Sequence, residues 1–551
     1  MISNTYRFMG KYIFLLFFAV LFSCSKDDIV YEQTRLFRPA LNTDLTAKGN
    51  TILVNLAKSK DAVSYTIDVS QDSFKTIEYN FTVDTNNFVI DKALIGEDLL
   101  YNTLYQLRAT ANASSSEFNS KVAELGSVRT ERFASIILLP RAYDVTDVKA
   151  RVRWSPAGAA VTEVKTFSST DIKLANPISS YPVSASENAD GEVIIDGLSP
   201  STQYQVAIYS GAILRGWVDY TTLVAGVDVN DPKVVNLSDS EDPDAFTAAV
   251  LAAQDGGIIL LKKGVRYNIP IDLLNKSLTI KGAYGLTPDR AALFSTSDWK
   301  VEVGANIDHV NFDDIEFIGE DMAGDYVFNI SNAGAQTIIN TVSFNNCEIH
   351  NLRGVLRLRS DSFVRNFTIN DCVVYNFGNY GIFTCDTDGD NQAAIDNVMF
   401  TNSTFYQLTV FVTSRQNVQS FLIDGCTFSE FTQTAQQTFR FRGADGKNNI
   451  INGLTISNSI FGHGWDIAGA GDKSINFNKD GLKGTSITLT NTWATSDFAV
   501  IAGSEMPGFP SATYSGTATK LWKEPYTGDF NFSDNGFAGK FDSGDPRWRV
   551  K

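Results

Sequence analysis

The sequence predicts an all-β chain in which two β-sandwiches precede a parallel β-helix that a short helix caps. Two observations lead to this prediction. Short segments of alternating polar and apolar residues, such as 63–69 (VSYTIDV) and 104–110 (LYQLRAT), recur in the first 225 residues, and this alternation is typical of strands with one buried face. In the second half, six similar segments recur every 23 to 33 residues, which is typical of a solenoid of stacked turns.

The first residues predict export. Arg7 and Lys11 precede an apolar run at 12–22, a combination typical of a secretory signal peptide. The run is shorter than the roughly 20 residues that a membrane-spanning helix needs. One interpretation is an ordinary signal peptide that is cleaved nearby.

A second interpretation follows from Cys24. Residues 21–24 (LFSC) resemble a bacterial lipobox, and residues 25–28 (SKDD) resemble the acidic tag of surface lipoproteins in polysaccharide-degrading Gram-negative bacteria. This resemblance implies a signal peptide at 1–23, acylation of Cys24, for example with palmitate, and a linker at 24–35. Several acyl chains would anchor the protein firmly to the outer membrane, at the cell surface.

The composition argues against two kinds of site. The net charge is −16, and it becomes −18 once the signal peptide with its two basic residues is removed, so a nucleic-acid partner is not expected. The chain contains three histidines and no Cys-x-x-Cys pair, so a structural zinc site is not expected either.

Residues 36–131 and 132–225 are predicted to form the two sandwiches. The segment 198–209 (LSPSTQYQVAIY) resembles the fibronectin type III signature. The resemblance implies that the Tyr204 hydroxyl bonds to upstream backbone as a tyrosine corner, and Tyr105 is the counterpart in a weaker copy that starts at Leu100. Two roles remain open for these modules: a spacer, or glycan contact through exposed aromatic residues such as Trp217.

A short helix is predicted before the repeats, in the unit 226–551. Asp242 is expected to cap it and Pro243 to occupy its first position. Its apolar residues then share one face: Phe246, Ala249, Val250 and Ala253. Together with the segment 256–267 (GGIILLKKGVRY), this helix resembles the first turn of right-handed parallel β-helices of the pectin-lyase type, where it covers the open end of the coil.

The repeats share a column of small residues. Segments such as 342–352 (VSFNNCEIHNL) and 367–377 (FTINDCVVYNF) carry Cys, Ser or Thr at one position, where we expect a tight buried turn. Free thiols are expected there, and a bridge between Cys347 and Cys372 on successive turns is the alternative. The preceding asparagines are expected at the turn itself, with left-handed backbone. The column is Cys347, Cys372, Ser403, Cys426, Ser459 and Thr492, and the asparagines are Asn346, Asn402, Asn458 and Asn491.

The strands after these turns carry unusual outward residues. In 354–362 (GVLRLRSDS), Leu356 and Leu358 are expected to point inward, which leaves the alternating Arg357 and Arg359 outside. Guanidinium groups bind carboxylates through paired hydrogen bonds, so such a face would suit an acidic polysaccharide. Alternatively, the arginines pair with nearby aspartates as a solvated ladder. The predicted binding residues are Arg357, Arg359, Arg415, Arg440, Arg442, Asn476 and Asn478.

The stretch 383–391 (FTCDTDGDN) ends in three alternate aspartates. Asp386, Asp388 and Asp390 offer the oxygen ligands that calcium prefers. The spacing does not match an EF-hand, because Gly389 is fourth rather than sixth in the loop. A calcium site and a solvated acidic turn both remain open.

The pectin-lyase resemblance raises the alternative of an enzyme. β-Elimination from a uronate needs a neutralised carboxylate, a base and an acid. Calcium at the three aspartates, with Lys479, Arg357 or Arg440 as the base, would supply such a lyase site. Hydrolases of this fold use a Gly-His-Gly element, which 462–464 reproduces, but we interpret His463 as a turn residue and His350 and His309 as exposed residues.

The last segment, 527–550 (TGDFNFSDNGFAGKFDSGDPRWRV), resembles the closing segment of surface lipoproteins that accompany glycan-uptake systems. In these proteins a fibronectin-like front precedes a pectin-lyase-like body. The resemblance implies a role in capturing or processing a complex, often pectin-like polysaccharide, and it fixes no reaction. Together with the outward arginines, it leads us to expect a lipoprotein that binds an acidic polysaccharide and passes it to an outer-membrane transporter. A calcium-assisted lyase and a purely structural or adhesive role are the alternatives.

Overall fold

The computed structural model describes residues 34–132, 134–389, 392–441, 449–478 and 481–550. The signal peptide and Cys24 therefore lie outside the described residues. Among the described residues, no helix is both long and apolar enough to cross a membrane. The chain divides into two compact units, one comprising residues up to 137 with 157–180 and 207–217, and the other comprising 138–156, 181–206 and 218–551.

The first group of strands forms two antiparallel sheets. Its elements are β1 (Leu41–Lys48), β2 (Thr51–Leu56), β3 (Ser64–Ser70), β4 (Tyr79–Val83), β5 (Asn87–Ile90), helix α1 (Lys92–Ile95), β6 (Leu104–Asn112) and β7 (Ala123–Arg129), with a 3-10 turn at Ser116–Phe118. One sheet has the order β1-β2-β5 and the other β4-β3-β6-β7. This connectivity is that of a fibronectin type III sandwich. The buried Tyr105 accepts a hydrogen bond from Leu100 N at 3.0 Å, so the weaker copy of the tyrosine corner is confirmed.

The second group repeats this connectivity. Its elements are β8 (Ala150–Arg153), β9 (Glu163–Ser168), β10 (Ser179–Pro182), helix α2 (Ala185–Asp190), β11 (Glu192–Ile195), β12 (Gln203–Ser210) and β13 (Ile213–Thr221). The sheets are β11-β8 and β10-β9-β12-β13, which correspond strand for strand to the first module without its first strand. Ser199 N donates to the Tyr204 hydroxyl at 2.9 Å, as the signature implied. Trp217 is half-buried, and the role of the two modules stays open.

The rest of the chain winds into a parallel β-helix. Its strands are β14 (Val234–Leu237), β15 (Gly257–Leu261), β16 (Arg266–Asn268), β17 (Leu278–Gly282), β18 (Ala291–Ser295), β19 (Asn306–Asp313), β20 (Ile315–Gly319), β21 (Tyr326–Asn345), β22 (Glu348–Asn370), β23 (Val373–Cys385), β24 (Ala394–Thr401), β25 (Thr404–Leu408), β26 (Val412–Ser414), β27 (Ser420–Asp424), β28 (Thr427–Ser429), β29 (Phe439–Phe441), β30 (Leu454–Ser457), β31 (Ile460–Phe461), β32 (Ile487–Thr490), β33 (Trp493–Ala494) and β34 (Ala512–Thr513). These 21 strands form one sheet whose paired strands run parallel.

The pairings follow three ladders, each of which forms one side of the coil. The first ladder runs through β14, β15, β17, β19, β21, β22, β24, β27, β30 and β32. The second runs through β16, β18, β20, β22, β23, β25, β28, β31, β33 and β34. The third runs through β21, β22, β23, β26 and β29. The long strands β21, β22 and β23 bend at corners and so contribute to more than one ladder.

Helix α3 (Ala245–Ala252) packs on the core at the start of the coil. Its predicted apolar residues are all at most 5% exposed, and Phe246 contacts the Trp299 ring edge-on at a centroid distance of 5.7 Å. The predicted cap is wrong. The helix begins after Asp244, and Asp242 lies two residues earlier, where its side chain accepts a hydrogen bond from Asp244 N at 3.0 Å.

The column of small residues is confirmed. Every residue in it is at most 1% exposed, and the cysteines are free thiols. Cys372 Sγ accepts from Cys347 N at 3.3 Å, and Ser403 Oγ accepts from Cys372 N at 3.0 Å, so each side chain holds the backbone of the preceding turn. The asparagines before the column have φ values of 47° to 51°, the left-handed backbone predicted for them.

Residues 518–550, which we call the closing segment, cover the second ladder. Helix α4 (Ala518–Leu521) precedes a hairpin of β35 (Trp522–Glu524) and β36 (Asp529–Phe532), and two 3-10 turns follow at Ala538–Phe541 and Pro546–Trp548. Phe530 is fully buried and packs against Tyr406 at a ring distance of 5.6 Å. Trp548 Nε1 donates to Thr404 Oγ1 at 2.8 Å.

Candidate functional site: an arginine face on the third ladder

The arginines of the third ladder lie on its outward side. Leu356 and Leu358 are buried at 1% or less exposure, and the side chains of Arg357 and Arg359, which alternate with them, point away from the core. The same alternation holds in β29, where Phe439 and Phe441 are buried and Arg440 is not. We call this side of the coil the arginine face.

One column of the arginine face contains two arginines separated by threonines. The register pairs Asn329 with Arg357, Arg357 with Thr384, Thr384 with Thr413, and Thr413 with Arg440. Arg357 and Arg440 therefore lie three turns apart, roughly 14 Å at about 4.8 Å per turn. Arg357 and Arg440 thus belong to the same column, but two threonines separate their charges.

The neighbouring column alternates arginine and aspartate. Asp386 N donates to Leu358 O at 3.0 Å, and Arg415 N donates to Cys385 O at 2.9 Å. Asp386 therefore lies between Arg359 of the preceding turn and Arg415 of the following turn. Arg442, another predicted binding residue, lies outside the described residues.

Ion pairs bind these two columns together. The Asp386 carboxylate lies 2.7 Å from Arg357 Nη2 and 3.6 Å from Arg415 Nε, and Arg415 also pairs with Asp388. The arginine–aspartate ladder left open by the sequence is therefore present for these residues. Arg359 differs: its guanidinium donates to Asn329 Oδ1 at 3.1 Å and forms no ion pair within the described part of the chain.

Aromatic rings support the first arginine. The Arg357 guanidinium carbon lies 4.3 Å from the Tyr380 ring centroid, and that of Arg353 lies 4.5 Å from the same ring. The buried Tyr326 meets Tyr380 edge-on at 5.5 Å, and burial raises the pKa of Tyr326 to about 12. Sequence reasoning missed Tyr380 and Arg353, because their segment lies at a corner where the period-two alternation breaks.

The aspartate loop is held by protein groups. The Gln416 amide donates to Thr387 O at 2.6 Å and to Gly389 O at 2.8 Å, and Thr387 Oγ1 accepts from Ser360 N at 2.8 Å. Two of its three carboxylates, those of Asp386 and Asp388, are paired with arginines, and Asp390 lies outside the described residues. A calcium ion here would compete with guanidinium groups for the same oxygens, and the calcium site stays a prediction.

The predicted amides lie further along the coil. Asn476 bridges in parallel to Gln437, three positions before Arg440, and its amide donates to Ala435 O at 2.6 Å. Asn478 N donates to Ser504 O at 2.7 Å. Lys479, the third candidate base, lies outside the described residues.

The histidines differ from their predicted environments. His350 was predicted to be exposed, but it is only 9% exposed, because its ring stacks on Tyr375 of the next turn at a centroid distance of 4.7 Å. His309 is half-buried beside Asp308. His463 is fully buried, and its ring nitrogens lie 2.8 Å from Gly464 O and 3.0 Å from Lys473 Nζ. Burial lowers the pKa of His463.

Two family models match parts of the β-helix. A domain of unknown function, DUF4957, matches residues 265–408, and a second, DUF5123, matches residues 421–548. A comparison with curated proteins found no match. The two matched ranges contain most of the arginine face and the closing segment.

Two solved structures show similarity to about a third of the chain. Chicken CNTN1 FN1–FN3 domains are 13% identical over 34% of this chain and 67% of that chain, with a TM-score of 0.15. A two-domain fibronectin type III segment of chicken tenascin is 16% identical over 34% of this chain and 99% of that chain, also with a TM-score of 0.15. The fibronectin type III assignment of this chain rests on its own strand connectivity and tyrosine corners.

Proposed function

We propose that the protein binds an acidic polysaccharide along the arginine face. The observation that carries this proposal is Arg359, whose outward guanidinium forms no ion pair in the described part of the chain. A carboxylate of the ligand would complete its hydrogen bonds in the planar, paired geometry that guanidinium groups favour.

The layout of the arginine face favours an extended ligand. Arg357 and Arg440 lie in one column roughly 14 Å apart, and the residues between them, Thr384 and Thr413, are uncharged and buried. A chain of uronate sugars presents carboxylates at intervals along its length, whereas a single sugar reaches only one arginine. The overall charge of −16 would repel the same ligand elsewhere on the surface.

The N-terminal sequence supports a cellular setting for this proposal. The lipobox-like segment ending at Cys24 would anchor the protein in the outer membrane with its body outside the cell. The sandwiches would then hold the β-helix, which resembles the pectin-lyase type, away from the membrane. Bound polysaccharide would pass from there to an outer-membrane transporter.

Affinity electrophoresis and calorimetry with polygalacturonate and neutral galactan test the proposal. We expect retardation by polygalacturonate alone, weakened by salt, and at least a tenfold loss of affinity in Arg359→Ala, or about 1.4 kcal/mol. Arg365→Ala is the matched control, because Arg365 belongs to the first ladder and pairs with Asp396 at 2.9 Å. Equal binding of galactan, or an equal loss in both variants, would contradict the proposal.

The same mixtures distinguish a binder from a lyase. Absorbance at about 235 nm rises when β-elimination creates an unsaturated uronate. We expect no rise. A rise that needs calcium and disappears in Asp388→Ala would instead establish the lyase alternative.

A further inference from the structure

Two carboxylates and an imidazole converge on the outward side of the second ladder, which is a different side of the coil from the arginine face. Glu316 and Glu348 are direct partners on adjacent turns, and His350 follows two residues later on the same side as Glu348. His350 Nε2 lies 2.8 Å from Glu316 Oε1. One potential ligand atom from each residue lies within 4.8 Å of the other two.

Neighbouring rings fix the direction of these side chains. The His350 ring stacks on Tyr375 with an interplanar angle of 6°, and Tyr375 stacks on Tyr406 at 4.8 Å. The Tyr375 hydroxyl donates to Glu348 Oε1 at 2.9 Å. The imidazole and one glutamate are therefore held in place by packing and by an outer hydrogen bond, as ligands of a metal ion commonly are.

The charges of the two glutamates are poorly compensated. Within the described residues, neither Glu316 nor Glu348 pairs with a lysine or arginine, and the ion-pair partner of Glu316 is His350. Carboxylates on adjacent turns repel each other unless a cation lies between them.

We propose that Glu316, Glu348 and His350 bind a divalent transition-metal ion, with Zn²⁺ as the best match. The composition did not predict a zinc site, because these ligands form no local motif and come from two different turns of the coil. An imidazole nitrogen and two carboxylates suit Zn²⁺, whereas calcium and magnesium favour all-oxygen sites. Zn²⁺ bonds of about 2.1 Å would bring the three ligand atoms to roughly 3.4 Å from each other, which requires only side-chain rotation. The Glu316 side chain is 25% exposed, which gives the ion access from solvent.

The position of this triad implies a structural effect. On the next two turns, the column of Glu348 continues with Val373 and Thr404, and the column of His350 continues with Tyr375 and Tyr406. These four residues lie at or beneath the closing segment. The triad occupies the turns just before that cover begins. A bound ion would join β20 to β22 there and stabilise turns that the closing segment does not protect.

Calorimetric titration of the purified, chelator-treated protein with ZnCl₂ tests this inference, with MnCl₂ and CaCl₂ for comparison. The test variants are Glu348→Gln, which preserves an acceptor for Tyr375, and His350→Phe, which preserves a stacked ring. His309→Phe is the control, because His309 pairs with Asp308 and belongs to no cluster of three potential metal ligands among the described residues.

We expect one tightly bound Zn²⁺ per chain and weaker binding of calcium. Glu348→Gln and His350→Phe should each lower Zn²⁺ affinity at least tenfold, and they should remove the rise in melting temperature that Zn²⁺ causes in the parent protein. His309→Phe should change neither quantity. Unchanged Zn²⁺ binding in both test variants, or no binding by the parent protein, would overturn the proposal.

Discussion

At the scale of single residues, the column of small side chains shows why cysteine, serine and threonine are interchangeable along the coil. Each side chain must fit a fully buried corner and accept a hydrogen bond from the preceding turn, as Cys372 Sγ and Ser403 Oγ both do. Size and acceptor capacity matter there, and thiol chemistry does not. The sequence predicted the small, buried character of this column, because a repeat aligns equivalent corners, but it did not predict the hydrogen bonds between turns.

Substitutions at Cys372 test this account. Cys372→Ser should change the free energy of unfolding by less than about 1 kcal/mol, because serine already occupies the equivalent position 403. Cys372→Leu should cost about 1–3 kcal/mol or more, since the corner has no room for extra methyl groups. Urea denaturation measures both values. Equal losses in the two variants would show that the thiol itself matters.

The histidines show what residue-scale patterns leave out. Alternation correctly placed His350 on the outward side of its strand, but it could not predict that Tyr375 of the next turn would cover the ring. The burial of an outward residue depends on which residue of the neighbouring turn lies beside it. The alternation within one strand does not reveal that register.

At the scale of elements, strands and the capping helix were more predictable than their ends. The apolar period of α3 identified its buried face, because that period is local. Its start was not predictable in the same way. Asp242 and Asp244 both have a side chain that can cap a helix, and the turn made by the Asp242 side chain precedes a helix that begins two residues later than predicted.

The buried and exposed faces of α3 provide a matched pair of substitutions. Phe246→Ala should lower the free energy of unfolding by about 3–5 kcal/mol, because the ring is fully buried against Trp299 at the end of the core. Leu251→Ala in the same helix should have little effect, since Leu251 is 62% exposed. Chemical denaturation followed by tryptophan fluorescence compares them. A similar loss in both variants would contradict the capping role of this face.

The arginine face was predictable within a strand but not between strands. Period two correctly set Arg357 and Arg359 outward, whereas loops of unequal length decide which residues meet on successive turns. They align Arg357 with Thr384 and Thr413 before Arg440, and they shift Asn476 by three positions.

At the scale of the whole molecule, the closing segment depends on contacts between residues far apart in the chain. Thr404 Oγ1 donates to the buried Asp545 carboxylate at 2.7 Å, and Arg547 bonds to both Asp545 and Asp371. The sequence identified this segment only through a resemblance, because no local pattern links residues about 140 positions apart.

The buried Asp545 makes the stability of this closure depend on pH. Burial, partly offset by Arg547, raises the pKa of Asp545 from 3.8 to about 6 in the folded chain. The folded state therefore retains a proton that the unfolded state releases at lower pH. The stabilisation from this group is complete below about pH 4 and is lost as pH rises through 6.

Removal of Arg547 should expose this dependence. Arg547→Ala leaves the Asp545 carboxylate, only 1% exposed, without its cationic partner. We expect a loss of about 3 kcal/mol in the free energy of unfolding at pH 8, because an unpaired buried charge is costly. The loss should be clearly smaller at pH 5, where Asp545 holds its proton. Adding Asp545→Asn to Arg547→Ala should make the loss independent of pH, as urea denaturation at both pH values would show. An equal loss at pH 5 and pH 8 in Arg547→Ala alone would mean that Arg547 acts through Asp371 instead, and that the closure does not depend on the charge of Asp545.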